Sequence, residues 1–257
     1  MKQDREQELI TRLSLVRKLS LSETMELLDV SESTARRLFA KMEKDGSVIR
    51  THGGIQLPGE IKSSYSFEFG ARTNIEKKTA IAREAVMVLE DGDVVFCDSG
   101  TTIRCMCAEL VGRLQREKLN IKLYTNSLAN LELLSPYMQV NLVGGEYRAN
   151  RKDFCGFLSE QALAGVFFTK SFVGADGCVG CVTFTTTDFE TARLSQIAMS
   201  HSEKTYMLVD SSKFSKSSHV TYVPVEQLHT IVTDSGIDPS AVEQLGRTNV
   251  HLMIANI

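Results

Sequence analysis

The stretch Ser31-Glu32-Ser33-Thr34-Ala35-Arg36-Arg37-Leu38-Phe39-Ala40-Lys41-Met42, leading on to Arg50-Thr51-His52-Gly53-Gly54, reads as a short capped helix with two adjacent arginines, then a basic turn and a glycine pair. Ser31 suits the N-cap, where a hydroxyl accepts from the free amides of the first turn. Ala35, Leu38, Phe39 and Met42 recur at helical spacing and define one apolar face. Ser33, Thr34, Arg36, Arg37 and Lys41 fall on the other faces. Hydroxyls and guanidinium groups near a helix start are the groups that reach phosphates and base edges in a major groove.

Working upstream, Ser20-Leu21-Ser22-Glu23 fits a capping box, with Ser20 as N-cap and Glu23 reaching back. Met25, Leu27 and Leu28 supply an inner face, and Asp29-Val30 makes a tight connection to Ser31. Leu9, Ile10, Leu13 and Val16 recur at i, i+3, i+4 and i+7, which predicts a first helix over residues 4–17. Three short helices ending in a helix-turn-helix is the simplest reading. The alternative is a helical hairpin whose charged face is merely solvated.

Residues 31–54 closely resemble the N-terminal winged helix-turn-helix of the DeoR-type bacterial transcriptional repressors. The matching features are Ser31, the Thr34-Ala35-Arg36-Arg37 core, and the Arg50-Thr51-His52-Gly53-Gly54 turn. Two positions depart from the family: Ala35 replaces an isoleucine, and Leu38-Phe39 replaces Asp-Leu, which removes a local partner for the arginines. The resemblance implies double-stranded operator DNA as a partner. Ser31, Ser33, Thr34, Arg36, Arg37 and Lys41 would face the duplex. Arg50, His52 and Gly53 would form the wing, against the backbone or minor groove.

The chain has 257 residues, 42% of them hydrophobic, enough to build a real core in one large domain or two unequal ones. Net charge is -3, so the whole molecule is not a basic nucleic-acid binder. The positive excess is local: Arg36, Arg37, Lys41, Lys44 and Arg50 against Glu32, Glu43 and Asp45. Phosphate contacts dominate non-specific affinity, so a weakly basic reader needs a second copy. A homodimer or homotetramer on repeated half-sites is expected. No apolar run approaches the roughly 20 residues of a membrane span, and no signal peptide is visible. The expectation is a cytoplasmic bacterial protein with no membrane partner. Cys178-Val179-Gly180-Cys181 lacks a second ligand pair at zinc spacing. The six cysteines read better as small buried hydrophobes than as metal or redox centres, and neither a metal nor a cofactor is expected.

The stretch from Gly53 through Pro58-Gly59 to Ser64 breaks the helical pattern. It divides the chain into residues 1–57, a linker over 58–73 in which Phe67, Phe69 and Arg72 approach the second domain, and residues 74–257. A helix over 74–89 opens the second domain. Strand-length apolar runs then fall at 94–98, 121–126, 140–144, 170–174, 206–210, 230–233 and 250–254. Helical segments fall between them near 103–114, 128–134, 188–200 and 240–245. This alternation marks an α/β fold with an open, mostly parallel sheet and helices on both faces. Ligands bind such sheets outside the carboxyl ends of the strands.

Those ends carry ligand-type residues. The first strand runs into Asp98-Ser99-Gly100-Thr101-Thr102 and a helix start, a cradle suited to a single phosphate. The next ends carry Thr125-Asn126-Ser127, Gly144-Gly145-Glu146, Asp176 after Gly174, and Asp210 with Lys213. Ordinary turns use the same residues, so each segment alone has a bland reading. Taken in order, these segments also resemble the DeoR-type effector domain, including Lys78 on the preceding helix, Gly156, and Asp210 to Phe214. That domain is similar to ribose-5-phosphate isomerase. The resemblance implies a phosphorylated sugar as effector, held by Lys78, Asp98, Ser99, Gly100, Thr101, Thr102, Thr125, Asn126, Ser127, Gly144, Gly145 and Lys213, and the strand-end reading adds Glu146 and Asp176.

Two functions compete at this stage: a ligand-controlled repressor with no enzymatic activity, and a sugar-phosphate isomerase. An isomerase would cast Asp98, Glu146 or Asp176 as base with Lys213 beside the enediolate, yet it has no use for residues 1–57. No G-x-x-x-x-G-K-[ST] or G-x-G-x-x-G motif supports nucleotide binding.

Overall fold

The computed structural model of the chain describes residues 5, 6, 8–10, 12, 13, 18–44, 47–51, 53–56 and 66–257. Two compact units divide it, residues 1–64 and 65–257.

In the first unit the described residues between 5 and 13 are helical, with Leu9 and Leu13 buried one turn apart. The rest of the expected 4–17 helix lies outside the described residues. Then come β1 (Lys18–Ser20), α1 (Leu21–Leu28), α2 (Glu32–Lys44), β2 (Ile49–Thr51) and β3 (Gly54–Gln56). The capping box forms as read. Ser20 Oγ accepts from the Glu23 amide at 3.2 Å, and the Ser20 amide donates to Glu23 Oε2 at 2.7 Å. Asp29, left-handed at φ 48°, makes the tight connection between α1 and α2. Ser31 precedes α2, but its hydroxyl lies 3.1 Å from those of Ser33 and Thr34, so it joins a hydroxyl cluster rather than capping an amide.

Strands β2 and β3 form an antiparallel hairpin, and β3 also pairs with β1. Gly54 makes that sheet possible: a Cβ there would stand 2.1 Å from the Leu19 carbonyl oxygen. Leu9, Leu13, Leu19, Leu28, Phe39, Met42, Val48 and Ile55 form one core beneath helices and hairpin. The unit is a winged helix-turn-helix.

The second unit opens with α3 (Phe67–Arg72), inside the stretch expected to be linker, followed by α4 (Ile75–Met87). All seven strands read from the sequence are present: β4 (Val94–Cys97), β5 (Lys122–Thr125), β6 (Val140–Leu142), β9 (Phe168–Val173), β12 (Ser202–Leu208), β14 (Thr230–Asp234) and β15 (His251–Ala255). They form one sheet in the order β15-β14-β12-β9-β4-β5-β6, every pair parallel. The chain starts at β4, runs outward to β6, and returns to β9 on the other side of β4. The order therefore reverses between β4 and β9, the place where such sheets bind ligands.

Alternating side chains feed two cores. Phe96, Val173, Met207 and Ile231 point to one face, where α8 (Phe189–Ser200) and α9 (Pro239–Leu245) pack. Val95, Cys97, Phe172, Leu208 and Val232 point to the other, against α4 and α5 (Thr101–Arg116). This is the period-two pattern of strands buried on both sides. Helix α6 (Leu128–Leu134) follows β5.

Several short elements had no strong pattern in the sequence. They are the hairpin β7 (Glu146–Arg148) and β8 (Asp153–Cys155), helix α7 (Phe157–Ala164), and the antiparallel set β10 (Gly177–Val179), β11 (Thr183–Thr186) and β13 (Val220–Pro224). Five of the six cysteines are buried and Cys105 is half-buried, in keeping with their reading as small hydrophobes.

Candidate functional site

In the first unit, α2 buries Ala35, Phe39 and Met42 and half-buries Leu38. Ser33, Arg36, Arg37 and Lys41 are exposed on its other faces, and Thr34 is half-buried. Arg36 finds a substitute for the missing aspartate in Glu32, one turn back, at 2.7 Å. Lys41 pairs with Glu6 at 2.5 Å, and Arg50 in β2 lies 3.7 Å from Glu43. Arg37 forms no ion pair among the described residues. Gly53, at φ 93°, turns the hairpin, and its carbonyl accepts from the Leu21 amide. His52 lies outside the described residues.

In the second unit the reversal point is built around Asp98, at the end of β4. Its carboxylate accepts from the Gly100 amide at 2.6 Å and from the Gly174 amide, after β9, at 2.7 Å. Burial pushes its pKa up to about 6, against the pull of those two amides and with help from Asp153 and Asp176. The next residues start α5, whose N-cap is Gly100 with no side-chain cap. The first-turn amides of a 16-residue helix therefore stand without a capping side chain beside buried Thr101 and Thr102.

Lys78, on α4, reaches this helix start. Its ammonium donates to Thr101 Oγ1 at 2.9 Å and to the Gly70 carbonyl of α3 at 2.6 Å. Both partners are neutral oxygens, and the side chain is buried. Desolvation, with Lys213 nearby, pulls Lys78 down to about 8. Among the described residues no carboxylate lies in hydrogen-bonding reach of this buried ammonium, and together with the uncapped helix start it makes a setting that favours an anion.

The other strand ends divide. Ser99 Oγ donates to Asp153 Oδ2 at 3.1 Å, which ties the cradle to the β7–β8 hairpin. Arg148 holds Asp153 with two bonds, at 2.9 and 2.7 Å, and also reaches Asp188 and Glu190 at the start of α8. Lys213 lies half-buried in the turn after Asp210. Asp176 is half-buried and accepts from Thr186 Oγ1 and the Thr187 amide.

Three expected ligand groups turn out to hold the scaffold. Thr125 and Ser127 are fully buried: Thr125 Oγ1 accepts from the Ser127 amide and Asn130 Nδ2, while Ser127 caps α6 through the Asn130 amide. Asn126 donates to the Phe154 carbonyl. The glycine pair is where the sequence leads one to expect room for a ligand. At Gly145 protein fills that room, because a Cβ would lie 2.2 Å from Ser159 Oγ and 2.4 Å from the Cys155 carbonyl oxygen. Gly144 gives its carbonyl to Ser159 Oγ, and exposed Glu146 packs against Gly156.

Sequence reasoning missed Asn74, Lys77, Arg148 and Asp153. Asn74, left-handed at φ 54°, donates to Asp210 Oδ1 and Ser212 Oγ. Lys77 bonds Ser211 Oγ at 2.6 Å and pairs with Asp234. An asparagine immediately before a helix was a legible signal for the first. Arg148 and Asp153 meet only across a hairpin that no pattern announced.

No group of histidine, cysteine or carboxylate side chains among the described residues is placed to hold a metal ion. No helix among them is long and apolar enough to cross a membrane.

Comparison with known proteins adds the family context. A model of the DeoR-like helix-turn-helix domain matches residues 5–60, and one of the DeoR C-terminal sensor domain matches residues 73–235. The lactose phosphotransferase system repressor of Lactococcus lactis subsp. lactis is 32% identical over 255 residues, covering 96% of each chain. The HTH-type transcriptional regulator IolR of Bacillus subtilis (strain 168) is 29% identical over 241 residues, 92% of this chain and 93% of that one. Among solved structures, ribose 5-phosphate isomerase A from Methanocaldococcus jannaschii aligns over 55% of each chain with 21% identity and a TM-score of 0.43.

Proposed function

Because this chain belongs to the DeoR family, we propose that it is an operator-binding repressor of a sugar-catabolic operon, relieved or reinforced by a phosphorylated sugar in residues 65–257. The observation that carries the effector half is the buried ammonium of Lys78, whose hydrogen-bond partners among the described residues are the neutral oxygens of Gly70 and Thr101, beside the uncapped start of α5. A phosphate there gains charge-assisted bonds from the ammonium and from the first-turn amides. Lys78, Ser99, Gly100, Thr101, Thr102 and Lys213 form the phosphate end of this site, and Asp98 and Asp176 lie toward the sugar.

In the first unit the exposed face of α2 enters a major groove, and the β2–β3 hairpin lies against the backbone. Arg37, with no ion pair among the described residues to break, is the first candidate for base reading. The modest positive charge of the unit favours a homodimer or homotetramer on repeated half-sites, working in the cytoplasm where the operator is. An isomerase has no use for residues 1–57, and the two amide bonds to Asp98 give its carboxylate a part in holding the turn.

Thermal unfolding of the full chain against a panel of phosphosugars and their unphosphorylated parents tests the reading. A folded-state ligand raises the midpoint by mass action. One phosphosugar should raise it, its parent should not, and the same phosphosugar should shift operator affinity in a fluorescence-anisotropy titration. Arg37→Ala should weaken operator binding by about 1–3 kcal/mol if it reads a base edge. A phosphosugar that stabilises the protein without moving operator affinity would exclude control by that ligand.

A further inference from the structure

Helix α3 is fastened to its unit mainly by polar contacts, and they come from the strand-end region. At its start, the Phe67 amide donates to the Asn150 carbonyl at 2.9 Å. Glu68 pairs with Lys152 at 2.5 Å, and the Lys152 ammonium lies 5.6 Å from the centre of the Phe67 ring. Both partners sit in the β7–β8 hairpin, whose Asp153 receives Ser99 of the cradle. At its end, the Gly70 carbonyl accepts from Lys78, which also touches Thr101 of the cradle. Just beyond, left-handed Asn74 is anchored to Asp210 and Ser212. The apolar hold is slight: Phe67 is buried, but Phe69 is 41% exposed. Helix α3 is also the first element of its unit in chain order.

We propose that α3 is a latch opened by an oxyanion bound at residues 98–102: the anion draws the Lys78 ammonium away from the Gly70 carbonyl, and α3 loses the contact that closes its C-terminal end. This inference rests on the phosphate reading of that turn. A phosphate oxygen is a stronger acceptor for an ammonium than a peptide carbonyl, because the bond is then charged on both sides. The gain is specific to the bound state, so it shifts the balance between latched and released α3. The chain leading back to the first unit begins at the released helix, which gives effector binding a route to operator affinity through the backbone itself.

Amide hydrogen exchange of the full chain, with inorganic phosphate as the probe and chloride at matched ionic strength as the control, tests the latch. With phosphate, amides 101–104 should slow. The Gly70 and Thr73 amides, now bonded to the Ser66 and Gly70 carbonyls, should exchange about tenfold faster, as locally released segments do. Slowed exchange at 101–104 with α3 unchanged or slower would overturn the latch and leave the phosphate reading standing. No change at 101–104 would overturn both. Lys78→Met without phosphate should release α3 to the same extent, and α3 protection unchanged in that variant counts against the latch. Should Lys78→Met fail to fold, Asn74→Gly keeps the left-handed backbone while deleting the bonds to Asp210 and Ser212. It too should speed exchange in α3, and full protection there would show that strand-end contacts do not hold the helix.

Discussion

Gly145 and Lys78 show how much a single side chain depends on its neighbours. Gly145 has φ 156° and no room for a methyl group. Gly145→Ala should destabilise the second unit by about 1–3 kcal/mol, since overpacking and an unfavourable backbone angle act together. Chemical denaturation followed by circular dichroism measures it. A Ser159→Ala background should not restore stability, because the Cys155 carbonyl still blocks the site. Lys78 is the opposite case. Its side chain is buried in α4, and its role rests on the ammonium it places between Thr101 and Gly70.

Short elements form here when local capping and tertiary cover agree. Helix α1 has only eight residues, too few to be stable alone. Its capping box satisfies its first amides, and Leu28 and buried Thr24 lock it onto the core. Ser20→Ala should lower the stability of the first unit by about 1 kcal/mol, read as a lower midpoint in thermal unfolding. Operator affinity should fall with it only near that midpoint, because Ser20 itself is not on the exposed face of α2. An unchanged midpoint would mean that packing alone specifies α1. The same logic explains why the β7–β8 hairpin escaped notice. Three-residue strands carry little periodicity, and this pair is held by Arg148, which grips Asp153 of β8 together with Asp188 and Glu190 at the start of α8.

At the scale of the whole molecule, the reversal of strand order between β4 and β9 gathers titratable groups at the strand ends, and their charges oppose folding. Asp98 has a folded pKa of about 6, above its ordinary value. A raised carboxylate pKa contributes stability that is present below about pH 4 and lost as pH rises through about 6. Subtracting the unfolding free energy of Asp98→Asn from that of the wild type should therefore give a difference that falls by on the order of 3 kcal/mol between pH 4 and 7, then levels. The fixed cost of an amide facing the Gly100 and Gly174 amides drops out of the slope. A flat difference would mean that Asp98 is not desolvated. Lys78, pulled down to about 8, behaves with the opposite sign: its contribution is present above about pH 10 and lost as pH falls through 8. At neutral pH both groups are charged at a cost, and a bound phosphosugar would relieve the cost at Lys78.

Local patterns by themselves determined the helices of the first unit, the capping box, all seven strands of the parallel sheet and the position of the strand-end turns, and the family resemblance of residues 31–54 turned those helices into a helix-turn-helix. Each rests on chemistry repeated along a few consecutive residues: an apolar stripe every three to four positions, an unbroken apolar run, a hydroxyl three residues before a glutamate. Only the tertiary structure decided what those turns do. Thr125 and Ser127 carry hydroxyls as Thr101 and Thr102 do, and all four are buried, but the first pair is spent on bonds to the Ser127 amide and Asn130, while the second pair stands at an uncapped helix start. Gly145 looks like space for a ligand until α7 and β8 fill it. The ion network of Arg148 and the latch of Lys78 on α3 join residues 5 to 42 and 8 to 23 positions apart. Their meeting depends on which strands lie side by side, and strand order is a property of the folded sheet that no local pattern encodes.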